Sequence, residues 1–124
     1  MNFVEGRIAH RAGRTTFQSD TIEIDIDGYA FAAAPENDRP ATLGVRPEHV
    51  RLGDEAAGEP FQAEARIELV EPMGADTLVW TSLDGKPLSI RISSERPMAR
   101  TGFLPIGLSP ARLSLFDGAT GQRL

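Results

Sequence analysis

Residues 43–54 read LGVRPEHVRLGD and gather Arg46, Glu48, His49, Arg51 and Asp54 around Pro47. Two carboxylates, an imidazole and two guanidiniums this close together could move a proton or clamp an anion. The same stretch could also be a corner between strands. Thr42, Leu43, Gly44 and Val45 read as the end of a strand, and Pro47 lacks the backbone donor that would continue its pairing. Val50 and Leu52 then resume an apolar contact before Gly53-Asp54 turns the chain. Two readings stay open. In one, Arg46 pairs with a carboxylate across a sheet and fixes the corner. In the other, the corner binds or signals.

Other chemistry-bearing residues point less sharply. Glu23, Asp25 and Asp27 alternate along TIEIDIDG and could cup a hard cation, but alternate carboxylates on a strand normally form a solvated face. His10 and His49 are far apart in the chain, each beside arginines, so a metal site with both imidazoles needs a fold that brings them together. There is no G-x-x-x-x-G-K-[ST] phosphate loop, G-x-G-x-x-G fingerprint, G-x-S-x-G elbow or H-E-x-x-H pair. No catalytic, cofactor-binding or metal-binding residue is therefore assigned, and an enzyme is the least expected class.

The elements that would position these residues follow period 2, and no long stretch keeps period 3.6. Ile22, Ile24 and Ile26 share one strand face and Glu23, Asp25 and Asp27 the other. FQAEARIELVEP sets Ala63, Ala65, Ile67 and Leu69 opposite Gln62, Glu64, Arg66 and Glu68. DTLVWTSLDGKPLSIRI reads as a hairpin about Asp84-Gly85, a pair suited to a type I′ turn, with further breaks at Ala12-Gly13 and Asp27-Gly28. Residues 32–41 and 93–102 read as connections. The expected class is all-β: short antiparallel strands in a small barrel or sandwich.

At 124 residues the chain fits one domain or two small lobes sharing a core. A net charge of −5 argues against a general nucleic-acid binder, and the aromatic residues are too scattered for a base-stacking face. Twelve of the thirteen basic residues are arginine, with Lys86 the exception, which suits pairing with carboxylates. Without cysteine there is neither a disulfide nor a thiolate site, which fits a cytoplasmic setting. No apolar run approaches the length of a membrane-spanning helix, and residues 1–20 lack the apolar core of a signal peptide.

Four stretches together resemble a known family. LGVRPEHVRL looks like the G-[IV]-R-P-E-H segment in the C-terminal region of ATPase subunits of ABC importers of the maltose, sugar and glycerol-phosphate type. VEPMGADTLVW, LSPARLSLFDGATGQRL and the opening MNFVEGRI are similar to further segments of that region, in the same order. The resemblance covers essentially the whole chain. It implies a transport-associated OB-fold (TOBE) regulatory domain, with OB-like, MOP-like barrel lobes. Residues 1–124 would form one such domain, with 1–53 and 54–124 as interleaved lobes, and the nucleotide-binding domain that takes ATP and Mg would lie outside this polypeptide.

The resemblance also implies partners: a second copy of the chain, the nucleotide-binding domain of the same subunit, the membrane subunits indirectly, and a regulatory protein or small molecule, but no nucleic acid. The setting would be the cytoplasm, against the inner-membrane face of the transporter. Interaction candidates are Arg46, Pro47 and Glu48 in the R-P-E corner, and Glu71, Gly74 and Asp76 in the second segment. Gly74 is expected to permit a bulge or a positive φ. The chain departs from the family at MARTGFLPIGL, where Pro105 falls inside an expected strand although proline is confined to edges and bulges. A competing expectation is a free-standing OB-fold module for a small anion or sugar, marked by convergent arginines or backbone N–H groups at a dimer seam.

Overall fold

The alternation read along the chain becomes alternation in burial: Ile22, Ile24 and Ile26 are buried while Glu23 and Asp27 are exposed. The computed structural model describes residues 1–20, 22–34 and 36–124; Thr21 and Pro35, which fall in the expected strand and connection, lie outside the described residues. The all-β expectation holds. The strands are β1 (Asn2–Arg11), β2 (Arg14–Ser19), β3 (Ile22–Asp25), β4 (Arg39–Val45), β5 (Arg51–Leu52), β6 (Phe61–Met73), β7 (Asp76–Leu83), β8 (Lys86–Ser93), β9 (Phe103–Leu108) and β10 (Leu113–Asp117). They form two curled antiparallel sheets with orders β10-β4-β1-β2-β3 and β5-β9-β6-β7-β8.

The chain passes from the first sheet to the second through a short 3-10 turn at Pro47–His49 and returns through another at Pro110–Arg112. Both sheets turn their apolar faces inward onto one core, in which Ile8, Phe17, Leu43, Val79, Ile90, Ile106 and Leu115 are almost wholly shielded from water. At about 25 cal/mol per Å² of apolar surface, this burial is the main term that opposes chain entropy, since no disulfide helps.

Turn chemistry follows the sequence closely. Ala12-Gly13 and Asp84-Gly85 both take paired positive φ angles, 53° and 76° and then 52° and 81°, as type I′ hairpins require. At Asp27-Gly28 the chain makes a tight turn closed by the Tyr29 N–H on the Ile26 carbonyl at 2.9 Å, and no hairpin follows it. Gly53, with φ +57°, opens a 3-10 stretch over Gly53–Gly58 instead of a simple turn. Pro105 does sit inside β9, opposite Glu64. It is tolerated there because β5 covers only Ile106 and Gly107, leaving the outer edge of β9 open beside the proline.

One residue of the expected inner face is reversed. The alternation sets Leu69 with Ala65 and Ile67, but Leu69 is 55% exposed. The pairing of β6 with β7 slips between Ile67 and Leu69, so one extra residue there turns Leu69 outward and brings the half-buried Val70 opposite Val79. The consecutive apolar pair Leu69-Val70 is the trace of this bulge in the sequence.

Gly6 marks the closest approach of β1 to β2. A Cβ there would overlap the Gln18 carbonyl oxygen and lie 2.7 Å from the Phe17 ring. Gly6→Ala is therefore expected to lower stability by about 2 kcal/mol or more, seen as a lower urea midpoint with an unchanged slope. Gly58→Ala, where nothing lies within 4 Å of the new Cβ, should leave the midpoint nearly unmoved.

Candidate interaction surface

The corner at 46–49 exists because β4 runs out of partners. Val45 is buried and makes the last register pairs, with Asn2 of β1 and Leu113 of β10. Arg46 lies past that last pair with no strand opposite. Pro47 then starts the 3-10 turn, closed by the His49 N–H on the Arg46 carbonyl at 2.9 Å. The expected ion pair from Arg46 across the sheet is not formed: Arg46 is exposed and joins no salt bridge among the described residues.

The corner packs on β8 instead. The Glu48 carboxyl is held below the usual carboxylate range, first by its own backbone N–H, against the opposing effect of desolvation, and then by His49, Arg46 and Arg91. It is thus an acceptor at neutral pH and no general acid. The buried Nδ1 of His49 has no hydrogen-bond partner among the described residues.

Arg51 turns away from this corner, toward Glu55 at 3.3 Å and Glu59 at 4.0 Å, while Arg96 adds a second contact to Glu55 at 3.3 Å. The cluster read along residues 43–54 therefore separates into two groups. The possible cation cup is also in use as scaffold, since Asp27 Oδ1 accepts the Thr15 N–H at 2.6 Å and Asp25 Oδ1 the Asp27 N–H at 2.9 Å.

The second candidate segment forms the β6–β7 hairpin. Gly74 takes φ +85° as the first residue of the two-residue turn, so the expected positive φ is found at a turn, while the bulge of β6 lies near Glu68. Ser94 secures the turn: its Oγ donates to the Gly74 carbonyl at 2.6 Å and its N–H to the Ala75 carbonyl at 2.9 Å. Glu71 Oε1 accepts the Trp80 indole N–H at 3.4 Å, and Asp76 is exposed.

Strand register joins the two segments. Glu71 pairs with Leu78 and Leu78 with Arg91, so these three side chains share the outer face of the second sheet, and Arg91 is, after Arg46, a second guanidinium acting on Glu48. Leu69, Met73 and Trp80, exposed by 55%, 56% and 41%, stand on the same face. Sequence reasoning missed this apolar surface because it assigned Leu69 inward and read Trp80 only as part of a hairpin.

The two remaining segments of the resemblance are architectural. Asn2 bonds to Ser89 on β8 from the first sheet. In the closing segment, Asp117 organises the loop after β10: Oδ2 accepts Arg39 Nη2 at 2.6 Å, Oδ1 accepts the Ala119 N–H at 2.7 Å, and the Asp117 carbonyl accepts the N–H of Gly121, whose φ is +76°.

The model of the TOBE domain family matches residues 43–116. The chain belongs to the TOBE domain family. The model of the MalK OB fold domain matches residues 1–50, so both matches include the corner at 46–49. The sn-glycerol-3-phosphate import ATP-binding protein UgpC of Escherichia coli K12 is 35% identical over 127 residues, covering 100% of this chain and 33% of the relative. UgpC of Cupriavidus pinatubonensis is 36% identical over 84 residues, covering 68% of this chain and 22% of the relative. The TOBE chain thus spans about a third of the length of the Escherichia coli relative. Among solved structures, the cytoplasmic molybdate-binding protein ModG, crystallised with molybdate bound, superposes with a TM-score of 0.70 over 92% of this chain and 94% of its own, at 11% identity, a likeness of fold.

The Arg39–Asp117 pair gives this TOBE domain an acid-sensitive clasp. The Asp117 carboxyl is held below its ordinary value, first by the Arg39 hydrogen bond and then by the Ala119 N–H. A carboxyl depressed by folding contributes stability that is present above its unfolded pKa of about 3.9 and lost as pH falls through the folded value. Asp117→Asn should therefore unfold at lower urea than the wild type at pH 7, and the gap should close progressively below about pH 4.

Proposed function

We propose that this chain is the non-catalytic accessory and regulatory domain of an ATP-binding subunit in an ABC importer of carbohydrates or polyols, and that it holds two such subunits together. The observation that carries this reading is the likeness to UgpC along 100% of the chain. The domain carries no phosphate loop, so ATP and Mg would bind the nucleotide-binding domain of the same subunit. The membrane subunits would be reached indirectly, at the cytoplasmic face of the inner membrane.

In this role the paired domains form the fixed end of a tweezer whose ATPase arms open and close. A regulatory protein or small molecule biases that cycle only by its differential affinity for the open and closed states. Arg46, Pro47 and Glu48, with Glu71, Gly74 and Asp76, frame the surface offered to such partners. Neither segment has the geometry of a reactive site, and both border the outer face of β6, β7 and β8.

The competing reading, a free-standing module for a small anion or sugar, is less favoured. Arg7, Arg11 and Arg14 do line a groove of about 240 Å³. Their charge is offset, however, because Arg7 pairs with Asp38 at 2.6 Å, Arg14 approaches Asp25 at 3.9 Å, and Glu23 lines the same groove.

Replacing the matched third of Escherichia coli UgpC with residues 1–124 tests the proposal. The chimera should restore glycerol 3-phosphate uptake to cells lacking UgpC. A chimera that folds and hydrolyses ATP yet leaves uptake at the level of the deletion strain would contradict it.

A further inference from the structure

Among the described residues, the first half of β6 has a strand partner on one side only. Phe61–Arg66 pair with β9, whereas β7 joins β6 from Arg66 onward, because β7 ends at Leu83 and turns into β8 at Asp84-Gly85. The Ile67 N–H bonds to the Gly102 carbonyl at 2.8 Å, toward β9, so Phe61, Ala63 and Ala65 turn their backbone groups to β9 as well, and Gln62 and Glu64 turn theirs to the open side. Pro105 agrees with this parity, since it lies opposite Glu64, where β6 asks for no donor. Strand β3 also has an open side, as the edge of the first sheet. The Ile26 N–H bonds to the Thr15 carbonyl at 3.0 Å, so Ile22 and Ile24 face β2 and the backbone groups of Glu23 face outward. The two open edges, at Gln62 and Glu64 and at Glu23, line one groove of about 780 Å³.

The side chains of the groove define its occupant. Phe103, 67% exposed, lies on the lining with the half-buried Phe61. Glu64, Glu68 and Asp84 line it as well, and none of the three joins a salt bridge among the described residues. Arg66 is the one guanidinium among the described lining residues, and Lys86, just past Gly85, is taken up by Asp20 at 2.6 Å. The groove thus combines unpaired backbone groups, an exposed ring and an excess of carboxylates.

We propose that this groove takes an extended basic segment of a partner protein, added as a strand along the open side of β6. The backbone N–H and C=O groups of that segment bond those of Gln62 and Glu64, its Lys or Arg side chains meet Glu64, Glu68 and Asp84, and an apolar side chain covers Phe103. A second copy of the chain is disfavoured as occupant, because the same edge brought against itself sets like carboxylates together. This recognition does not depend on an importer role for the chain.

A short dye-labelled peptide of alternating lysine and valine serves as the probe, followed by fluorescence anisotropy and by the amide chemical shifts of the protein. The wild-type chain should bind it saturably and shift the Glu23, Gln62 and Glu64 amides, and the same peptide with glutamate for lysine should not bind. N-methylation along the peptide backbone, which keeps the charge but removes the donors, should weaken binding about tenfold or more, and so should Glu64→Lys and Phe103→Ala in the protein. Both substitutions fall at exposed positions, and thermal melts check that the variants fold. Binding that survives N-methylation undiminished, or that neither substitution weakens, overturns the proposal, as does a wild-type chain that shows no saturable binding of the probe.

Discussion

The side-chain amide of Asn2 stands in for a strand that the second sheet lacks. Its Nδ2 donates to the Ser89 carbonyl at 2.8 Å, and its Oδ1 accepts the Ser89 N–H and the Ser89 Oγ, each at 2.8 Å. Ser89 lies in β8, an edge strand of its sheet, while Asn2 begins β1, which is flanked on both sides in the other. With Asn2 only 8% exposed, removing the amide would leave backbone groups of β8 without partners at a cost of about 1–3 kcal/mol. The shared core needs this joint, because the inner faces of two curled sheets bury each other only while their edges keep register. The Pro47–His49 turn packs on β8 as well, so this edge strand receives two of the links between the sheets.

The outer face of β6, β7 and β8 depends on the same constraint. Arg91 is on β8, two residues from Ser89, and Glu71 is reached from it through Leu78 in one row. Fixing β8 therefore fixes the distance between the charges at either end of that row. The Glu48 carboxyl is held below the usual carboxylate range, Arg51 turns from the corner to Glu55, and in the arginine-lined groove Arg7 and Arg14 are met by Asp38 and Asp25.

Much of the architecture was legible because it rests on local rules. Period-2 alternation gave the buried isoleucines of β3, and Ala12-Gly13 and Asp84-Gly85 gave two hairpins through their demand for positive φ. The family segments were also legible as segments, but their meaning lies in tertiary contacts. Gly6 is needed because β2 passes close by, Asn2 because β8 lacks a neighbour, and Asp117 because Arg39 reaches it from far earlier in the chain. None of these contacts leaves a periodic trace. The bulge that turns Leu69 outward was visible only as two adjacent apolar residues, so the surface it builds with Trp80 could not be placed without the register. Arg46 shows the opposite failure: its charge suggested a cross-sheet pair, but β4 ends one residue too soon to supply one.

Native-state hydrogen exchange at the Ser89 amide tests the joint between the sheets most directly. If Asn2 locks β8, this edge amide exchanges in the wild type as slowly as the amides of core strands, and in Asn2→Ala it speeds up selectively with its β8 neighbours while β2 and β3 stay protected. A Ser89 amide that exchanges in the wild type as fast as those of the 93–102 connection would contradict the account, because the sheets would then be joined without it.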